Sequence, residues 1–247
     1  MTPVRPSALV SGASRGIGYG IATYLAREGW NLTLTARDPD RLGEVQNEFE
    51  AIGATVQTVA GEISDDDLLA TLAERHETLF GTMNALVLAA GVGSAAPLQG
   101  YPMRRFDKQL AVNFRAPMAL TSKVLPLLRA GAESDPQRGG RIVALTSLEG
   151  VHPEEGLGPY GASKAALISL VKSINLEEGR NGITATAISP GYVDTAMSAW
   201  VADRVPPESM IQVRDIVRVV DLVMNLSPTA VVPHVVMNRI GASAYHA

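Results

Sequence analysis

The chain has no cysteine. That excludes a disulfide framework, a thiolate nucleophile and any cysteine-ligated metal site. Histidine is scarce, and His76, His234 and His246 show no metal-ligand spacing with carboxylates, so no metal is expected. Long apolar runs are missing too: stretches such as residues 85–91 fall far short of the roughly 18 residues needed to cross a bilayer. Residues 1–7 carry two prolines and no apolar core, which argues against a secretory signal. The formal charge of −4 is dispersed, with no basic block for nucleic acid or for a membrane surface. The expectation is a soluble cytoplasmic protein that acts on a small molecule.

What is present is regular alternation. The 247 residues, nearly half of them apolar, suffice for one large α/β domain. Short apolar runs at 8–12, 31–36, 55–60, 85–90, 141–146, 184–189 and 231–237 read as strands. Amphipathic stretches at 16–28, 39–51, 65–79, 103–130, 159–179 and 213–226 read as helices. Alternating strands and helices give right-handed βαβ units and a parallel sheet covered on both faces. The run Ala85-Leu86-Val87-Leu88 is continuously apolar, as a buried parallel strand should be. Residues 131–140 read as a surface loop, because the alternation resumes beyond them. The fold class is α/β, one doubly wound domain over 1–247.

Three side chains carry the chemistry. Tyr160 and Lys164 are four residues apart, which stacks them on one helix face, and Ser147 lies upstream at a strand end. An ammonium held beside a phenol is expected to favour the phenolate and lower the Tyr160 pKa from its usual value of about 10.

Upstream, Gly12, Ser14, Arg15, Gly16, Ile17 and Gly18 form a glycine-rich turn between the first strand and the first helix. Glycines there let the backbone approach a pyrophosphate, and the helix N-terminus offers free N–H groups. The spacing is Gly-x3-Gly-x-Gly rather than Gly-x-Gly-x-x-Gly. The stretch 12–16 also matches the Gly-x-Ser-x-Gly elbow of serine hydrolases, with Ser14 as nucleophile. That rival lacks the preceding strand an oxyanion loop requires and has no use for Gly18. Arg37 stands at the end of the second strand, where an arginine suits a ribose 2′-phosphate and an acid the 2′-OH. With Arg15 nearby, NADP(H) is favoured over NAD(H), although Asp38 follows at once.

The chain resembles the single-domain short-chain dehydrogenase/reductase family. The resemblance rests on the glycine turn, Asn113, Ser147, the segment Tyr160-Gly161-Ala162-Ser163-Lys164, and Pro190-Gly191-Tyr192-Val193-Asp194-Thr195, in family order along most of the chain. It implies a Rossmann-type seven-stranded parallel sheet and an oxidoreductase similar to 3-oxoacyl-(acyl-carrier-protein) reductases. It implies that Tyr160 donates a proton to a substrate carbonyl, Ser147 hydrogen-bonds that oxygen, and Lys164 binds the nicotinamide ribose. Asn113 would anchor a water that relays protons to Lys164. Pro117, lacking an N–H, would free the Asn113 carbonyl for that water.

Further cofactor contacts are expected at Glu62, Ile63, Ala90, Gly91, Pro190, Gly191, Val193 and Thr195. Two departures stand out. Leu88-Ala89 replaces the Asn-Asn common before Ala90-Gly91, so local sheet support must come from elsewhere, and Glu62 replaces the usual Asp. Residues 196–210, with Met197 and Trp200, would form a mobile substrate cover. His152, Glu154 and Glu155 read as solvated rim residues. Competing functions remain open: an alcohol or hydroxysteroid dehydrogenase of the same mechanism, or a dinucleotide-binding regulator without turnover. The resemblance also implies a homodimer or homotetramer, with the helices at 103–130 and 159–179 facing a partner.

Overall fold

A computed structural model describes residues 5–242. Seven strands form one parallel sheet in the order β3-β2-β1-β4-β5-β6-β7. They are β1 (Ser7–Ser11), β2 (Asn31–Ala36), β3 (Val56–Ala60), β4 (Ala85–Leu88), β5 (Gly140–Leu145), β6 (Ile183–Pro190) and β7 (His234–Met237). The helices are α1 (Gly16–Arg27), α2 (Pro39–Ala51), α3 (Asp66–Phe80), α4 (Met103–Leu110), α5 (Ala116–Ser134), α6 (Gly158–Glu178) and α7 (Val213–Met224). The order reverses at β1, which pairs with both β2 and β4. In such a sheet the crevice at that switch point, outside the carboxyl ends of the strands, is where ligands bind.

Side-chain alternation along the buried strands splits the core in two. Ala8, Val10, Leu32, Leu34, Val87 and Val143 face one layer, packed against Ile21 and Leu25 of α1, Phe49 of α2 and Ile216 of α7. Leu9, Leu86, Leu88 and Ile142 face the other, against Leu69 of α3, Leu120 of α5 and Leu167 of α6.

Four expected boundaries move, each for a local reason. β4 stops at Leu88 because the Ser11 hydroxyl takes the Ala89 and Ala90 amides, at 3.1 and 3.2 Å. The helix expected at 103–130 is instead α4, a π turn at Ala111–Arg115, and α5. Pro117 has no N–H to close an α-helical bond, and the preceding Ala116 N–H reaches back five residues to the Ala111 carbonyl. α5 runs on through Pro126 to Ser134, so the first four residues of the expected loop at 131–140 are helical, with Gly131 and Ala132 buried. β7 begins at His234, after Pro233, which cannot donate to the ladder.

Among the described residues, no helix is long and apolar enough to cross a membrane. His246 and most of the tail beyond Asn238 lie outside the described residues.

Candidate active site

The glycine turn joins β1 to α1 at the switch point. Gly12 has φ +69°, and a Cβ there would lie 2.9 Å from the Ala90 backbone. A Cβ on Gly18 would overlap the Gly12 carbonyl oxygen. Both positions therefore need glycine for close backbone approach, not only for freedom of the chain. α1 starts at Gly16 with no side-chain cap and no acid in its first turn, so its leading N–H groups are left for an anion. This cradle fits the pyrophosphate of a dinucleotide. Ile17 packs into the core beneath it. Ser14 is buried, and its carbonyl accepts from Arg41 Nε at 3.3 Å. His76 and His234 hydrogen-bond Ser7, Thr33 and Ser189 rather than Ser14.

From the turn the path runs along the end of β4 to the chemistry. Gly12 abuts Ala89 and Ala90. A Cβ on Gly91 would sit 3.4 Å from Lys164 Nζ and 3.5 Å from Asn113 Oδ1, and one on Gly93 would sit 3.3 Å from the Tyr160 ring. Asn113 Oδ1 accepts the Val92 N–H at 2.9 Å; its Nδ2 donates to the Val92 carbonyl at 2.8 Å and to Ser163 Oγ at 3.0 Å. Ser163 donates in turn to the Tyr160 carbonyl, at 2.7 Å. Ser147, in extended backbone after β5, stands beside the Tyr160 phenol and donates its hydroxyl proton to the Glu149 carboxylate. The structure thus brings together Asn113, Ser147, Tyr160 and Lys164, drawn from three separate segments.

The electrostatics differ from the expectation in sign. Burial pushes the Tyr160 phenol up to about 12, with the Ser147 hydrogen bond easing it and the charge of Glu149 adding to it. Burial pulls Lys164 down to about 8, opposed by Glu149. The expected lowering of Tyr160 by Lys164 does not occur, because the ammonium donates to the Leu145 carbonyl at 2.8 Å and stands 5.8 Å from the Tyr160 ring centroid. Desolvation outweighs a cation at that distance.

At the carboxyl end of β2, Arg37 is exposed and pairs with Glu62 at 3.6 Å, so Glu62 is turned to the arginine. Asp38 caps α2, accepting from the Arg41 N–H at 3.1 Å. Ile63 packs against the second core layer. Arg41 escaped sequence reasoning; its position in the first turn of α2, four residues after Arg37, was the available signal.

Beyond β6, Pro190 ends the strand and the Gly191 N–H bonds the Met237 carbonyl at 2.9 Å. Thr195 Oγ1 donates to the Val193 carbonyl at 3.4 Å, and its methyl lies 3.4 Å from where a Gly16 Cβ would be. The β6 segment therefore folds back over the glycine turn. A bridge between Val193 and Ile211 pins both ends of the following loop. That loop has its own small core of Tyr192, Val201, Val205 and Met210. Trp200 is half exposed, edge-on to Tyr192 at 6.2 Å, with Arg204 over its face.

Two acids correct the sequence analysis. Glu154, taken there as a solvated rim residue, accepts the Tyr192 hydroxyl at 3.0 and 3.1 Å. Glu149 was passed over entirely. It is buried, and its carboxylate accepts the Ser147 hydroxyl. A charged residue two positions beyond the catalytic-serine candidate, inside an otherwise apolar turn, was the signal.

The family model of the short chain dehydrogenases matches residues 6–205, and the chain belongs to that family of oxidoreductases. It is 30% identical over 220 residues to gluconate 5-dehydrogenase of Gluconobacter oxydans (strain 621H), covering 85% of this chain and 84% of that protein. Among solved structures, a metagenomic short-chain oxidoreductase in complex with NADP is similar, at 30% identity and TM-score 0.80, over 95% of this chain and 97% of the other. So is the 3-oxoacyl-[acyl-carrier protein] reductase of Brucella melitensis in complex with NAD, at 26% identity and TM-score 0.85, over 96% of each chain. Both dinucleotides thus occur among its structural neighbours.

Proposed function

We propose that the chain, acting as one NAD(P)-binding domain, is an NADPH-dependent carbonyl reductase that forms a secondary alcohol, with a 3-oxoacyl thioester as the best substrate class. The observation that supports it most is the meeting of Ser147 and Tyr160 beside the glycine cradle. When bound, the dinucleotide supplies the hydride.

The chain's own residues do the rest. Gly12, Ser14, Arg15, Gly16, Ile17 and Gly18 hold the pyrophosphate and its ribose. Arg37, with Arg15 and Arg41, receives the 2′-phosphate; a guanidinium fork matches that group. Ala90, Gly91, Pro190, Gly191, Val193 and Thr195 line the route to the nicotinamide end. Ser147 donates a hydrogen bond to the substrate carbonyl and so orients it. Tyr160, held protonated by burial, gives its proton to that oxygen as charge develops there. Lys164, pulled down to about 8, can pass a proton on near neutral pH, and Asn113 fixes the floor of the relay.

The resemblance to the Brucella reductase supports the thioester class; that to gluconate 5-dehydrogenase supports sugar acids as the second panel. Reduction of 3-oxoacyl thioesters, steroids, quinones and keto acids should be assayed with NADPH and NADH. Fastest turnover of the thioester with NADPH is expected. Tight dinucleotide binding without turnover on any carbonyl would favour a regulator instead.

A further inference from the structure

Glu149 occupies the short turn Leu148–Gly150, which is pressed flat on α6. A Cβ on Gly161 would strike the Glu149 carbonyl, and one on Gly150 would lie 3.0 Å from the Lys164–Ala165 backbone. The turn cannot swing outward without breaking this contact. Its acid is 7% exposed and spends its carboxylate on the Ser147 hydroxyl. A buried carboxylate is costly, and holding a serine in place does not require one.

A hydroxyl has one proton to give. An ionised carboxylate only accepts, so it takes that proton and leaves Ser147 an acceptor. A protonated carboxyl can donate to Ser147 Oγ, leaving the serine proton free for a carbonyl oxygen. We propose that Glu149 is a positioning residue that sets, through the Ser147 hydroxyl, the pH range in which the enzyme turns over. Protonated Glu149 aims the Ser147 proton at the substrate oxygen, which speeds reduction and, through the same transition state, oxidation. Ionised Glu149 keeps the Ser147 proton for itself and slows both. This rests on the reading of Ser147 and Tyr160 as substrate-facing groups.

The groups around Glu149 are Glu154 from the loop before α6, Lys164 and Tyr160 from α6, Ser147 itself, and Tyr192 from beyond β6. Burial raises the acid most, and Glu154 adds to this; the Ser147 bond, its own backbone N–H and Lys164 oppose it. The net direction is upward, so the protonated form persists to higher pH than on a surface glutamate. The contribution of Glu149 to turnover, in either direction, is present below that point and declines as pH rises through it.

The test compares pH profiles of kcat in both directions for the full-length wild type and E149Q. It adds pH-difference infrared spectra of the carboxyl C=O band for wild type, E149Q and S147A. The Gln amide donates to Ser147 and cannot ionise. Wild-type reduction is expected to fall about tenfold per pH unit beyond one inflexion. E149Q should lose that limb in both directions and keep KM; Lys164 and Tyr160 keep their own limbs in both proteins. The carboxyl band should vanish in E149Q and shift in S147A. Should E149Q fail to fold, E149L also frees the serine proton and must lose the same limb. Superposable profiles in an active wild type and E149Q, or a band unmoved in S147A, overturn the role of Glu149 alone. A wild type inert on every carbonyl and alcohol, with the band still moved in S147A, overturns the reductase reading and the role of Glu149 in turnover with it.

Discussion

Asn113 grips Val92 from both sides, accepting its N–H at 2.9 Å and donating to its carbonyl at 2.8 Å. One buried side chain therefore satisfies the loop that leaves β4 and ties it to α6 through Ser163. Asn113→Ala removes three hydrogen bonds at a buried site, each worth about 1 kcal/mol net and more where a partner is stranded. A loss of about 2–4 kcal/mol in urea unfolding is expected, with slower turnover in the surviving folded protein. Pro117→Ala lets the π turn at Ala111–Arg115 relax toward an α-helix and shifts Asn113. Slower turnover is expected there too; an unchanged rate and pH profile would count against the relay.

Gly18→Ala puts a methyl where the Gly12 carbonyl stands. The turn must open, and the N–H groups of α1 move off the pyrophosphate. Dinucleotide affinity, followed by nicotinamide fluorescence, should fall by more than about tenfold, roughly 1.4 kcal/mol. Native affinity would remove the glycine cradle from the account.

If the 2′-phosphate of NADPH seats on Arg37, the Arg37–Glu62 pair competes with it for the guanidinium. Both side chains are half exposed, so the pair itself contributes about 0–1 kcal/mol. Glu62→Gln should raise NADPH preference over NADH severalfold, and Arg37→Ala should lower it. Ratios of kcat/KM for the two dinucleotides decide this; equal ratios in all three proteins would refute the NADP assignment.

His76 is fully buried among Ser7, Thr33 and Thr82, and burial pulls it from 6.5 to about 4. The depressed value means that the fold favours the neutral ring. Its contribution is complete above pH 6.5 and is lost as pH falls toward 4. A shift of that size corresponds to at most about 3 kcal/mol. Urea unfolding at pH 7 and pH 4.5 should show His76→Gln less sensitive to acid than the wild type by about 2–3 kcal/mol. Parallel pH dependence in the two proteins would contradict this.

The layout of the sheet was legible because buried parallel strands such as Ala85–Leu88 are apolar throughout and each is followed by a helix. The site was legible through spacing: Tyr160 and Lys164 share a helix face, and the glycines mark where backbone must meet backbone. Departures came where a single side chain outranks the pattern. Ser11 ends β4 by taking two amides, and no periodicity reports a hydroxyl bond to another strand. Pro117 reads as a kink, but whether the chain answers with a π turn depends on tertiary packing. The direction of the Tyr160 shift depends on where Lys164 points, and the Leu145 carbonyl that draws it away is nineteen residues back in sequence. Glu149 was hidden because an acid in a loop looks solvated until the loop is seen pressed on a helix.

Turnover by Tyr160→Phe tests the central claim most directly. The phenylalanine keeps the ring beside Gly93 and removes only the hydroxyl near Ser147. Carbonyl reduction measured at saturating NADPH should fall by about 10²–10⁴-fold while dinucleotide affinity stays within about twofold. Reduction at the wild-type rate would show that the proton comes from elsewhere.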